Sequence, residues 1–184
     1  MKKGETGKAE RNAPAERKAD VRPSGKKGEN PVAAAVKSNR TVSQPADSQT
    51  GNPSDSLSAF EREVVERINQ ERTQRGLAPL KVDVKLSHVA RLKSEDMRDN
   101  GYFSHDSPTY GSPSAMMSQF GIQYRASGEN IAAGYPTPKA AVEGWMNSSG
   151  HRANILSPEF THIGVGYAKG GEYGHYWTQQ FIGK

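Results

Sequence analysis

From residue 60 onward, apolar positions recur first at helical intervals and then at strand intervals. Phe60, Val64 and Ile68 follow Ser58 and Glu61, an S-x-x-E capping box, and Gly76 supplies a left-handed stop. A second helix is predicted from an N-cap at Asp83 to Asn100, with Leu86, Val89, Ala90 and Met97 facing inward and Gly101 ending it. Ser112-Pro113 opens a short helix that Gly121 closes, and Thr137-Pro138 opens another through Val142, Trp145 and Met146. The period then shortens. Residues 161–168 and 175–182 read as two strands joined by a Gly-rich turn, an antiparallel hairpin. Helices first and strands last predict an α+β fold, with helices packed on an antiparallel sheet.

The first 58 residues look different. They hold none of the 7 Tyr, 5 Phe and 2 Trp, and their branched or long aliphatics are Val21, Val32, Val36, Val42 and Leu57. Such a segment cannot bury enough apolar surface to offset an ordering cost of ~1–2 kcal/mol per residue. Residues 1–58 are expected to be a disordered linker with a reach of about 40 Å, and residues 59–184 a single domain. The linker carries 11 Lys/Arg against 7 Asp/Glu, so most of the chain's formal net charge of +5 lies there. Contact with an anionic polymer is the sharper reading of that charge. Interspersed acids and the lack of aromatics argue instead for a solvated spacer, with no specific nucleic-acid partner.

The chain has no cysteine, which excludes disulfides, thiolate zinc sites and cysteine nucleophiles. No run of 18 apolar residues exists, so no transmembrane helix is expected. The start MKKGETGKAERN leads into polar residues where a secretory signal needs its apolar core, so no signal peptide is visible. Chemistry must come from His, carboxylates, hydroxyls or backbone. From residue 59 onward no GxSxG or SxxK nucleophile signature is present.

The five histidines differ in setting. His88 sits mid-helix beside Val89 and reads as a rim residue. His162 and His175 open the two strands, where an imidazole ordinarily satisfies itself locally; His175 is the spare candidate. His105, in FSHDSP, has polar company that packing does not explain. His151, in SGHRANIL, opens a short helical turn, and Glu129 stands between Gly128 and an apolar run, an odd place for a solvated acid.

SHDSP, GENIA, a Trp-bearing helix, GHRANIL, a GVGYA strand and a YWTQQF strand follow one another in order. Over about residues 60 to 184 this series resembles the bacterial, SCP-like branch of the CAP superfamily, named for cysteine-rich secretory proteins, antigen 5 and pathogenesis-related 1. The resemblance implies an α-β-α sandwich with a central antiparallel sheet, and a cleft lined by His105, Glu129 and His151. The second cleft acid of eukaryotic members falls on Ser148. Glu143, the nearest acid, lies about 140° around the helix from it. The resemblance further implies an extracellular or envelope setting and a cleft that binds a small apolar ligand or cell-wall component.

Three roles are open to such a triad. It could hold Zn or another divalent cation through His105, His151 and Glu129, although the spacing lacks a local ligand pair. Glu129 could orient an imidazole acting as general base in a peptidase or wall-polymer hydrolase, which makes the three candidate catalytic residues. Or the triad could be a hydrogen-bonded polar core that shapes a ligand-binding cleft. The last is the leading expectation and the hydrolase the alternative.

Overall fold

A computed structural model describes residues 56–184. The expected linker lies outside the described residues as far as residue 55.

Local signals account for most of the elements. Helix α1 (Ala59–Thr73) starts with the full capping box, Ser58 accepting from the Glu61 amide and Glu61 accepting from the Ser58 amide. Helix α2 (Val84–Asp99) is capped by Asp83, whose side chain accepts from the Leu86 amide; α3 (Pro113–Gln119) and α4 (Pro138–Asn147) carry Ser112 and Thr137 caps with proline in the first turn. Helix α5 (Ser149–Ile155) follows α4 directly. Gly76, Gly101 and Gly121, read as helix stops, all have positive φ.

Strands β3 (His162–Lys169) and β4 (His175–Gly183) form the expected hairpin, Ile163 opposite Phe181 and Tyr167 opposite Trp177. Two strands come in addition. The GENIA segment is β2 (Ala126–Ala133), antiparallel to β4, and a two-residue β1 (Lys81–Val82) pairs parallel with β3. The order is β1-β3-β4-β2, so the sheet is antiparallel except at β1, and β2 is an outer strand opposite β1.

The strand alternation sends side chains to two helical layers. On one face Ile163, Val165, Trp177 and Phe181 pack with Val64 and Ile68 of α1, Trp145 of α4 and Ile155 of α5. On the other, Gly164 and Gly166 receive α2. A Cβ on Gly166 would lie 2.1 Å from the main chain of Ala90 and Arg91, and one on Gly164 2.4 Å from that of Leu86. Both these glycines and Gly128 have ordinary φ. Close approach explains all three. Smaller clusters join α2 to α3 and to β4 through Leu86, Met116 and Ile182 and, beneath its last turn, Met97 to Ile131 and Tyr176. The result is the α-β-α sandwich.

Because β1 is short, β3 has an open edge beyond it. Buried Glu61 accepts from the Tyr167 amide at 3.1 Å on that edge, and from Arg91 of α2 through Nε at 2.9 Å and Nη2 at 2.7 Å. One residue thus caps α1, satisfies the sheet edge and ties in α2.

Candidate functional site

The outer strand β2 presents its residues alternately to the two layers, and the GEN motif uses both faces. Glu129 points with Gln180 of β4 toward the loop that follows α2. Asn130 points with Gln179 toward α5.

His105 Nδ1 lies 2.9 Å from Glu129 Oε1, and Gln180 Nε2 donates to Glu129 Oε2 at 3.1 Å. The Glu129 side chain is 3% exposed and that of His105 21%. A buried carboxylate is thus satisfied on both oxygens, and the imidazole reaches from it to the surface. Since an ionised carboxylate only accepts, the hydrogen belongs on Nδ1, and a neutral ring then carries its lone pair on Nε2.

His151 is buried in α5. Its carbonyl accepts from Asn130 Nδ2 at 3.1 Å; Asn154, one helical turn on, donates to the Glu129 carbonyl at 3.3 Å and to Asn130 Oδ1 at 2.9 Å. The GEN and GHRAN motifs are laced together through asparagine side chains. His105 and Glu129 meet directly. His151 is tied to the GEN motif by its main-chain carbonyl, which accepts from Asn130.

The loop that presents His105 is held from below by residues not singled out in the sequence. Lys93 of α2 is buried and donates through Nζ to the His105 carbonyl at 2.7 Å and to Tyr102 Oη at 3.2 Å. Asp96 accepts from Ser107 Oγ and Thr109 Oγ1, each at 2.6 Å, from Asn100 Nδ2 at 2.7 Å, and from the Tyr102 hydroxyl. Burial alone would raise the Asp96 pKa, but these donors outweigh it and hold the carboxyl below its ordinary value. Burial pushes the Tyr102 hydroxyl well up, reinforced by its bond to Asp96. Burial also lowers the Lys93 ammonium, against the opposing pull of Glu129, Asp96 and Asp106. A signal was available, since Ala90, Lys93 and Met97 share the i, i+3, i+7 stripe that faces inward.

The other histidines lie elsewhere. His88 meets Phe120 edge-on at 6.2 Å, and His162 lies 2.8 Å from Thr161 Oγ1. His175 bonds the Tyr167 hydroxyl at 2.8 Å; it sits five residues along β4 from Gln180, about 17 Å away. Glu143, the acid nearest Ser148, is exposed beside Lys139 and leaves that position without a carboxylate.

Among the described residues no group of three or more His, Asp or Glu is placed to hold a metal ion. Glu129 already spends its oxygens on His105 and Gln180. The candidate set for Zn or another divalent cation, His105, Glu129 and His151, is therefore not gathered into a preformed three-ligand centre. Concavities of about 640, 450 and 400 Å³ lie beside Tyr124 and Arg125, beside His88 and Arg91, and beside Tyr135 and Ser148. None of these three is lined by the His105–Glu129 pair, whose imidazole opens to the surface directly.

A family model described as CAP, the cysteine-rich secretory protein family, matches residues 65–181. An uncharacterized protein of Bacillus subtilis, YkwD, is 56% identical over 152 residues, 83% of this chain and 54% of the relative. An uncharacterized membrane protein of the same organism, YlbC, is 42% identical over 122 residues, 66% of this chain and 34% of the relative. The chain thus spans about half or less of the curated relatives it matches. Among solved structures, an extracellular SCP-domain protein from Bacillus anthracis superposes with a TM-score of 0.63 at 38% identity, covering 68% of this chain and 40% of that one. An outer surface protein from Borrelia burgdorferi gives 0.61 at 19% identity, covering 67% and 91%, a likeness of fold alone.

Proposed function

Because the chain belongs to the cysteine-rich secretory protein family, CAP, in its bacterial branch, we propose that it is an extracellular or envelope-facing domain that binds a small apolar ligand or cell-wall component beside His105, Glu129 and His151. The observation that carries this reading is the His105–Glu129 contact. A carboxylate is fully satisfied beneath the surface while the imidazole it orients is partly exposed, which is how a fixed polar anchor for a ligand is built. Gln180 Oε1 is buried with no hydrogen-bond partner among the described residues, so the sheet face that carries the pair keeps an acceptor for a polar guest such as water. The extracellular setting of the Bacillus anthracis protein supports the location. Among the described residues no helix is long and apolar enough to cross a membrane.

The same contact favours a second reading. A carboxylate on Nδ1 leaves Nε2 as a base toward water, the arrangement a hydrolase would use, worth ~10²–10⁴ in rate. Two assays separate the readings. Saturable binding of a fluorescent fatty acid or of isolated wall sacculi, weakened in His105→Ala without release of product, supports the binding domain. Release of soluble muropeptides that stops in Glu129→Gln supports the hydrolase. Unchanged binding in His105→Ala counts against the first.

A further inference from the structure

The His105 loop must hold an imidazole against a carboxylate from a segment with no regular structure of its own, residues 101–111. What fixes it comes from α2. Lys93 and Asp96, three residues apart on one helix face, bind this loop at Tyr102, His105, Ser107 and Thr109, and reciprocal main-chain bonds between Ser107 and Gly111 close it.

Lys93 is the unexpected member. It is 1% exposed on a stripe otherwise occupied by Ala90 and Met97, where an apolar side chain would avoid the desolvation of an ammonium. Its shortest bond, 2.7 Å, goes to the main chain of the residue that meets Glu129, and its Nζ stands 5.0 Å from the centre of the Tyr102 ring.

We propose that Lys93 is a positioning residue of the site: it fastens the His105 main chain so that Nδ1 faces Glu129. Removing it frees the loop and lets the imidazole exchange its Nδ1–H form for the alternative tautomer. The functional meaning rests on the ligand-site reading above. The geometry does not, and the test reads the imidazole with no ligand present.

The test compares ¹⁵N spectra of the imidazoles in the intact chain and in Lys93→Met, which keeps length and removes charge. The intact chain is expected to show His105 as one Nδ1–H tautomer. In Lys93→Met its two nitrogen signals move toward the tautomer average and amides 103–107 exchange about tenfold faster or more, while β3 and β4 stay protected. Unaltered His105 signals and loop exchange in a folded Lys93→Met overturn the proposal. If that variant does not fold, the intact protein decides. A coupling across the hydrogen bond from Lys93 Nζ to the His105 carbonyl carbon, with Lys93 methylated about tenfold more slowly than exposed Lys81 and Lys139 or slower still, supports it; absence of both overturns it. Loss of ligand binding with the His105 signature intact would bear on the ligand reading and not on Lys93.

Discussion

Asp96 shows how one side chain can define a loop. Four donors converge on its carboxylate, from Tyr102, Ser107, Thr109 and Asn100, and an amide in its place would turn donors of its own against them. Asp96→Asn is expected to cost about 1–3 kcal/mol at neutral pH. Because the folded pKa is depressed, the stabilisation is fully present above the unfolded value of about 3.9 and is lost as pH falls toward the folded value. Urea midpoints across pH check this: the two proteins should differ at pH 7 and converge as pH falls through the unfolded value toward the depressed folded one. A constant gap would contradict it. Neither Asp96 nor Lys93 was legible in the sequence, because KSEDMRDN reads as the solvated end of a helix unless each charge is placed on the inward stripe. His105 and Glu129 were legible only through the ordered motifs of the family resemblance. Alone, each is an ordinary polar residue in a loop or beside a glycine.

At the scale of elements, what the sequence made readable was what is decided locally. Ser58, Asp83, Ser112 and Thr137 cap four helices, and the alternation in GVGYA and YWTQQF phases the hairpin. Strand β2 escaped, because ASGENIAA has few β-branched or aromatic residues and takes its place from pairing with β4. Gly166 is where α2 and the sheet meet without side chains between them. Gly166→Ala places a carbon 2.1 Å from helix backbone, which no rotamer can relieve. It is expected to lower stability by about 1–3 kcal/mol or more, read as a lower melting temperature. Because α2 carries Lys93, the His105 imidazole signals should shift with it. An unchanged melt would contradict the close packing.

Across the whole molecule, buried charges join the layers. Arg72 of α1 donates to the carbonyls of Ile155 at 2.7 Å and of Ala78 and Ser157 at 2.9 Å, tying the first helix to the end of α5, the helix that bears His151. Burial lowers its pKa, yet three carbonyls depend on it. Arg72→Met should therefore cost about 3 kcal/mol, with faster amide exchange around residues 155–158 than around β4. Equal exchange at the two places would contradict the tie. Glu61 performs the matching task between α1, α2 and the edge of β3, so a domain without a disulfide gains cross-links from hydrogen-bonded ions. Toward the other edge of the sheet, β2 holds the carboxylate of Glu129 with the imidazole it orients. The most direct test is a calorimetric titration of the intact chain and of Glu129→Gln with a long-chain fatty acid and, separately, with solubilised wall glycan. The account predicts saturable binding of one of the two, weakened about tenfold or more in Glu129→Gln while the melting temperature shows the variant folded. Equal affinity in both proteins, or no binding of either ligand by the intact chain, would contradict it.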